Sequence, residues 1–289
     1  MTGPAANPYA PGSGGGQVTR LWVHPLKGAR ATALRTMEFD ALGPRWDRRW
    51  MVVRPGGGMV TQRDTPRLAV VHPHLDNGTL RLEAEGMDPL KLPTAPLGDP
   101  VGVTIHGKGA VGCAVSPDAD AWLSTVLGRD VRLVFMREED ARPTDAAYAE
   151  GHRVSFADGF PALLLSERSV EELARRSGRE IPAERFRPNI VVTGAHPHDE
   201  DQWQRFTVGG TGFSGVKLCT RCKVTTTDQR TGVRDPDREP LRTLALYRRI
   251  ESAVYFGVNV VHDGPGRITV GDRVEVLERG IIPGAGLGG

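Results

Sequence analysis

Residues 217–232 read KLCTRCKVTTTDQRTG and hold two of the chain's three cysteines, Cys219 and Cys222, with two residues between them. A structural zinc site wants four ligands, usually two such pairs or one pair and two spaced histidines. Only Cys113 remains, and the nearest downstream histidine, His262, lies forty positions beyond Cys222. A thioredoxin-type dithiol would sit at a helix N-terminus, where the dipole lowers a thiol pKa. The β-branched KVTTTD that follows favours a strand or an extended loop instead. A third use is a single soft thiolate on a metal whose other ligands come from a cofactor. A fourth is two ordinary half-buried cysteines. From the pair alone all four readings stand.

Working outward, the chain is rich in short β-type runs. VTRLWVHPL, RRWMVVRPGGGMVTQRD, RLAVVHPHL and GTLRLEAEG are separated by Gly, Pro and Asn turns, the marks of an antiparallel barrel or sandwich. In SPDADAWLSTVLG, Ser116 is placed to cap a helix that has Pro117 at its first position and Gly128 beyond its end. A second helix is expected over SVEELARRSG, with Ser169 and Glu172 as a capping box, and a third over EPLRTLALYRR. The expected fold class is mainly β with flanking helices (α+β). Its expected organisation is a flexible tail at 1–16, a β-barrel domain at 17–135, a second barrel domain at 136–279 and a tail at 280–289.

At 289 residues the chain suits two domains or one large one, and its 39% hydrophobic and 25% charged residues are those of an ordinary soluble protein. A net charge of +2 does not call for nucleic acid, and no apolar run reaches the length of a membrane span. The N-terminal MTGPAANPYAPGSGGG has neither the basic start nor the apolar stretch of a signal peptide. With few cysteines, this leads us to expect the reducing cytoplasm. Charge is uneven, however: residues 1–70 hold ten Lys or Arg against four acids. That excess, and the RFRPN stretch from Arg185 to Asn189, invite an anion. Within RWDRRW, Trp46 and Trp50 read as the buried side of a strand.

RFRPNIVVTG, EDQW, CTRCKVTTTDQRTG and RITVGDRVEVL, in that order, resemble the C-terminal half of MOSC-domain molybdenum-cofactor proteins. More narrowly, they resemble the mitochondrial amidoxime-reducing component and its bacterial relatives. LWVHPLKGAR, DRRWMVV and GMVTQRDTPRLAVV resemble the β-barrel domain that precedes MOSC there, and FADGFPALLLSERSVEEL resembles the linking segment. The resemblance runs from Val18 to Leu277. It implies a molybdopterin cofactor whose dithiolene gives two sulfurs to molybdenum while Cys222 gives a third. It implies cofactor contacts at Lys27, Gly28, Arg48, Arg187, Asn189, Thr220, Arg221 and Asn259. It also implies N-hydroxylated small-molecule substrates and a separate ferredoxin or flavoprotein donor, because three cysteines cannot hold a ferredoxin cluster. Two positions depart from the mitochondrial pattern: Gly28 follows Lys27 where those proteins have serine, and Asn259 stands where they have tyrosine near the metal. Asp228 is expected either to orient the ligand loop or simply to cap a turn. HPHDED, His196–Asp201, is read as an exposed turn rather than a metal cluster.

Overall fold

The computed structural model describes residues 15–76, 78–96, 98–194 and 196–284. Of the two expected tails, 1–14 and 285–289 therefore lie outside the described residues. The described chain is mainly β, as its sequence leads one to expect, and two bodies of strands share its length.

One body is built on an antiparallel sheet ordered Trp50–Val53, Arg132–Phe135, Lys108–Ala114, Pro100–Ile105. A three-stranded sheet of His72–Asp76, Thr79–Glu83 and Leu90–Pro93 stands beside it. The helix Pro117–Leu127 closes this body, with Trp122, Leu123, Val126 and Leu127 buried. It forms for the local reasons its sequence advertises: Ser116 Oγ accepts from Ala119 N at 3.1 Å, and Gly128 turns left-handed at φ 65°. Trp50, Val52, Leu68, Leu80, Leu82, Leu133 and Phe135 join it in one core.

The second body is a nine-stranded sheet. Its path runs Thr32–Leu34, Val18–Val23, Ile190–Val192, Ala162–Ser166, Ala253–His262, Thr211–Thr220, Trp203–Val208, Val274–Arg279, and the ninth strand, Arg249–Ile250, pairs with Ala253–His262 off this path. Ala162–Ser166 and Ile190–Val192 pair in parallel. A parallel pair needs a crossover, which the helix Glu167–Ser177 supplies. Phe206 and Phe213 stack at 5.4 Å within its core, beside Trp203, Val258 and Ile268.

The N-terminal segment belongs to both bodies. Val18–Val23 pairs with Ile190–Val192 in the second sheet, and Thr36–Asp40 pairs with Gly266–Thr269. Between Val23 and Thr32 the chain leaves that sheet and enters the first core, where Leu26 and Ala29 are fully buried. Lys27 N bonds Trp50 O at 2.8 Å, which fixes this excursion beside the first sheet.

Four local expectations are corrected. The helix expected from Ser169 begins at Glu167, and its cap is Ser166, whose Oγ accepts from Arg168 N. Ser169 instead lies inside it, giving its hydroxyl to Glu200 at 2.7 Å. RLAVV reads as a strand but is a 3-10 turn, Pro66–Val70, because Pro66 presets the first helical φ and Leu68 and Ala69 face the core. Trp50 is in a strand and buried, but Trp46 sits in a turn at φ 70°, tilted against it at 5.8 Å. HPHDED is an exposed turn only at His196 and Pro197. Glu200 is fully buried and accepts Ser166 N at 3.1 Å, while Asp199 holds Arg279 at 2.7 Å and Asp201 pairs with Arg248. These acids are drawn inward because Trp203, which begins the next strand, is itself fully buried.

Candidate cofactor site at the seam of the two bodies

A cavity of about 180 Å³ opens between the bodies, and Cys222 and every cofactor contact that the resemblance implies line it: Lys27, Gly28, Arg48, Arg187, Asn189, Thr220, Arg221 and Asn259. They come from five stretches of chain. The inward excursion brings Lys27 and Gly28, the turn before Trp50–Val53 brings Arg48, and RFRPN brings Arg187 and Asn189. The end of the strand Thr211–Thr220 delivers the cysteine loop, and Asn259 stands on Ala253–His262, donating to Lys217 O at 3.2 Å.

Arg48 and Arg187 are the centre of one wall. Both adopt left-handed backbone, φ 49° and 57°, a conformation costly for a residue with a Cβ and held only where surroundings dictate it. Arg48 donates to Asn189 Oδ1 at 3.0 Å and to Arg187 O at 3.1 Å, and it pairs with Asp47. Asn189 is buried, and its amide also accepts from Leu163 N and donates to Trp22 O and Asp47 Oδ1. All four of its hydrogen-bonding positions are thus spoken for. It holds Arg48 in place.

Arg187 gives Nη1 to Ala29 O at 2.6 Å, but its Nη2 is buried without a partner. Burial, and then the neighbouring Arg48 guanidinium, push Arg187 down to about 9. Beneath them His24 is fully buried, its Nε2 against Pro188 O at 3.1 Å and its Nδ1 unpartnered. Burial, Arg48 and Arg187 hold it well below the usual histidine range, so it is neutral. Lys27 reaches Phe156 O at 2.6 Å and Asp158 Oδ1 at 2.5 Å; burial lowers its pKa while Asp158 works against that. Gly28 is at φ 82°, and a Cβ there would stand 2.7 Å from Leu68 Cδ2. The position thus refuses a side chain on two grounds.

Arg221 locks the cysteine loop and ties it to the segment that carries Arg187. It donates to Phe256 O at 2.8 and 2.6 Å and to Phe186 O at 3.0 Å, with its backbone N on Val254 O at 2.7 Å. Cys222 precedes the 3-10 turn Lys223–Thr226, where its carbonyl accepts Thr225 N and Thr225 Oγ1. All three cysteines are free thiols. Burial raises the Cys219 pKa and disfavours its thiolate. Asp228 caps a turn, its Oδ1 accepting Arg230 N and Thr231 N, both at 2.9 Å.

Residues 15–130 match the MOSC N-terminal beta barrel domain and residues 151–275 match the MOSC domain. Over 281 residues the chain is 36% identical to mitochondrial amidoxime-reducing component 1 of Mus musculus, covering 91% of this chain and 82% of that protein. The chain belongs to the amidoxime-reducing-component family of MOSC proteins. It is 34% identical to mitochondrial amidoxime reducing component 2 of Bos taurus, over 90% of this chain and 82% of that one. With mitochondrial amidoxime-reducing component 1 of Homo sapiens it shares 34% identity over 91% of this chain and 83% of that protein.

The residues of this family member fit the cofactor its resemblance implies. Two guanidiniums share one wall, and the buried Nη2 of Arg187 is a donor aimed at no protein acceptor. Such a pair of cations calls for an anion such as phosphate. Thiol and polar groups face it, as a soft metal and a pterin require.

Sequence reasoning missed the polar groups that join the walls. Gln62 and Gln229 exchange two amide hydrogen bonds, at 2.9 and 3.0 Å, and Gln62 also donates to Gly28 O at 2.6 Å. Gln229 Oε1 accepts Arg187 Nη1 at 3.4 Å, so the network runs from the Lys27 turn to the cysteine loop. The signal was present: GMVTQRDTPRLAVV and CTRCKVTTTDQRTG each contain a Gln-Arg step. Asp158, between Lys27 and His106 Nε2 at 2.9 Å, lay unremarked within FADGFP.

Proposed function

We propose that the chain is a molybdenum-cofactor-dependent oxidoreductase that reduces N-hydroxylated compounds, amidoximes and hydroxylamines, with electrons from a separate ferredoxin or flavoprotein. The reading rests on one observation above others. Cys222 lies in a cleft with Lys27, Arg48 and Arg187, and one nitrogen of Arg187 is buried there without a partner. The names of the mouse, bovine and human relatives supply the reaction class.

In this reading Cys222 is the protein's ligand to molybdenum, a soft thiolate for a soft site. Lys27 and Arg187 meet the cofactor phosphate, with Arg48 held behind them by Asn189 and Asp47. Thr220 and Asn259 face the pterin, and Arg221 keeps the ligand loop from swinging away by tying it to two carbonyls. Gly28 lets the Lys27 turn lie against Leu68. When bound, the cofactor supplies two-electron removal of oxygen from an N–OH group, which with two protons leaves N–H and water. The thiolate requires a reducing compartment, which we take to be the cytoplasm. The basic excess of the first 70 residues suits a weakly docking acidic donor, so turnover should fall as salt rises.

The test is elemental analysis for molybdenum, fluorescence of the released oxidised pterin, and benzamidoxime reduction with a chemical reductant. Cys222→Ser should abolish reduction, whereas Cys219→Ser should keep substantial activity. Equal loss in both, with metal retained, points to a dithiol instead. Cofactor without turnover points to a carrier. Steady turnover with NADH alone would refute the need for a separate donor.

A further inference from the structure

Away from the cleft, the hairpin of His72–Asp76 and Thr79–Glu83 gathers three metal-ligating side chains. Its antiparallel register sets His72 opposite Glu83 and His74 opposite Arg81. Residues two apart on a strand share a face, and so do directly opposed partners. His72, His74 and Glu83 therefore project together. The imidazole centroids are 4.0 Å apart, and His74 Nε2 stands 2.9 Å from Glu83 Oε2. One ligand atom from each of the three lies within 4.8 Å of the others. Two imidazoles and a carboxylate with a position left open are the ligand set of catalytic zinc sites and of facial-triad iron.

We propose that His72, His74 and Glu83 form a metal site separate from the cofactor cleft, taking a divalent transition-metal ion of zinc type. Burial, then His74 and Arg30, push His72 down to about 4, while burial, Arg81 and Arg30 lower His74.

Two cations oppose the ion. Arg81 pairs with Glu83 Oε1, and Arg30 faces both rings. The Arg81 and Glu83 side chains are 37% and 35% exposed, and a pair that open is weak. An ion gaining two imidazole bonds outcompetes it, whereas a hard ion such as magnesium or calcium, which depends on carboxylates, does not. Tetrahedral bonds of about 2.0–2.1 Å set donors about 3.3–3.5 Å apart, so side chains must close in by roughly 1 Å. His72 also lines a cavity of about 380 Å³ shared with Arg30 and Arg230, where a water can complete the shell.

The experiment is titration of tag-free protein with cobalt(II) and then zinc(II), followed by absorption and calorimetry. Expected is one equivalent of cobalt with ligand-field bands but no thiolate charge-transfer band, displaced by zinc. His72→Ala and His74→Ala should each weaken binding by at least about tenfold. Arg81→Gln should tighten it several-fold, a gain that misfolding cannot mimic. The proposal fails if zinc binds no tighter than on the order of 100 µM. It also fails if both histidine variants keep the affinity, if Arg81→Gln leaves it unchanged, or if the thiolate band shows that the cysteines take the ion.

Discussion

Gln62 and Gln229 offer a direct test of how the two walls of the cleft are joined. Both are buried, at 1% and 7% exposure, and each is the other's donor and acceptor. Gln62→Leu removes both mutual bonds and orphans the Gly28 carbonyl, which accepts from Gln62 at 2.6 Å. It also strips Gln229 Oε1 of its shorter donor, leaving Arg187 at 3.4 Å. Leaving a buried polar group unsatisfied costs about 1–3 kcal/mol, so two such groups cost about 2–6 kcal/mol, whereas replacing both partners with apolar groups is far milder. The double variant with Gln229→Leu should therefore be more stable than the sum of the singles predicts, by about 1–2 kcal/mol. Urea denaturation followed by tryptophan fluorescence, for the parent, both singles and the double, measures the cycle. Single losses should also lower the thermal midpoint by about 4–24 °C, at about 2–4 °C per kcal/mol. Additivity within about 0.5 kcal/mol, or singles that cost less than that, would refute the coupling.

Phosphate should raise the thermal midpoint of the cofactor-free protein, because an anion that binds only the folded state stabilises it by mass action. Arg187→Ala should lose most of that rise, and phosphate protection equal to the parent's would remove Arg187 from the anion site. Glu200, pushed up from 4.5 to about 7 by burial and by Asp201, keeps in the folded protein a proton that the unfolded chain gives up across that window. Its stabilising contribution is therefore complete below the lower value and lost as pH rises through the upper one. Glu200→Gln, which still accepts from Ser169, should flatten stability between about pH 5 and 7 and exceed the parent above it. A slope unchanged in that variant would show that another group titrates there.

What was legible in the sequence was local or carried by compact motifs. The helix Pro117–Leu127 could be drawn from Ser116, Pro117 and Gly128, because its start and stop signals lie within its own length. The cleft residues were reached through the family resemblance that LWVHPLKGAR, DRRWMVV, RFRPNIVVTG and CTRCKVTTTDQRTG carry, compact motifs that lie far apart in the chain. What escaped depends on contacts distant in sequence. Nothing near Glu200 says that Ser166 and Ser169 will turn inward to meet it, and Ser169 and Glu172 imitate a capping box that the preceding Ser166 pre-empts. The Gln62–Gln229 pair spans 167 positions, and neither residue has a local reason to be buried. His72 and Glu83 become neighbours only once the hairpin register is set.

The route of the first strand also bears on how the protein must be made. Val18–Val23 pairs with Ile190–Val192, so this strand waits for partners synthesised some 170 positions later. Until then that strand has an open edge, and the Lys27 turn has no opposing wall. Loading of the proposed cofactor consequently belongs after the synthesis of Cys222. Splitting the chain between its two domain segments would strip Ile190–Val192 of its neighbour, exposing a fully buried apolar edge of the kind that pairs with other chains. Expressed alone, the C-terminal half should aggregate unless the segment 15–44 is supplied with it.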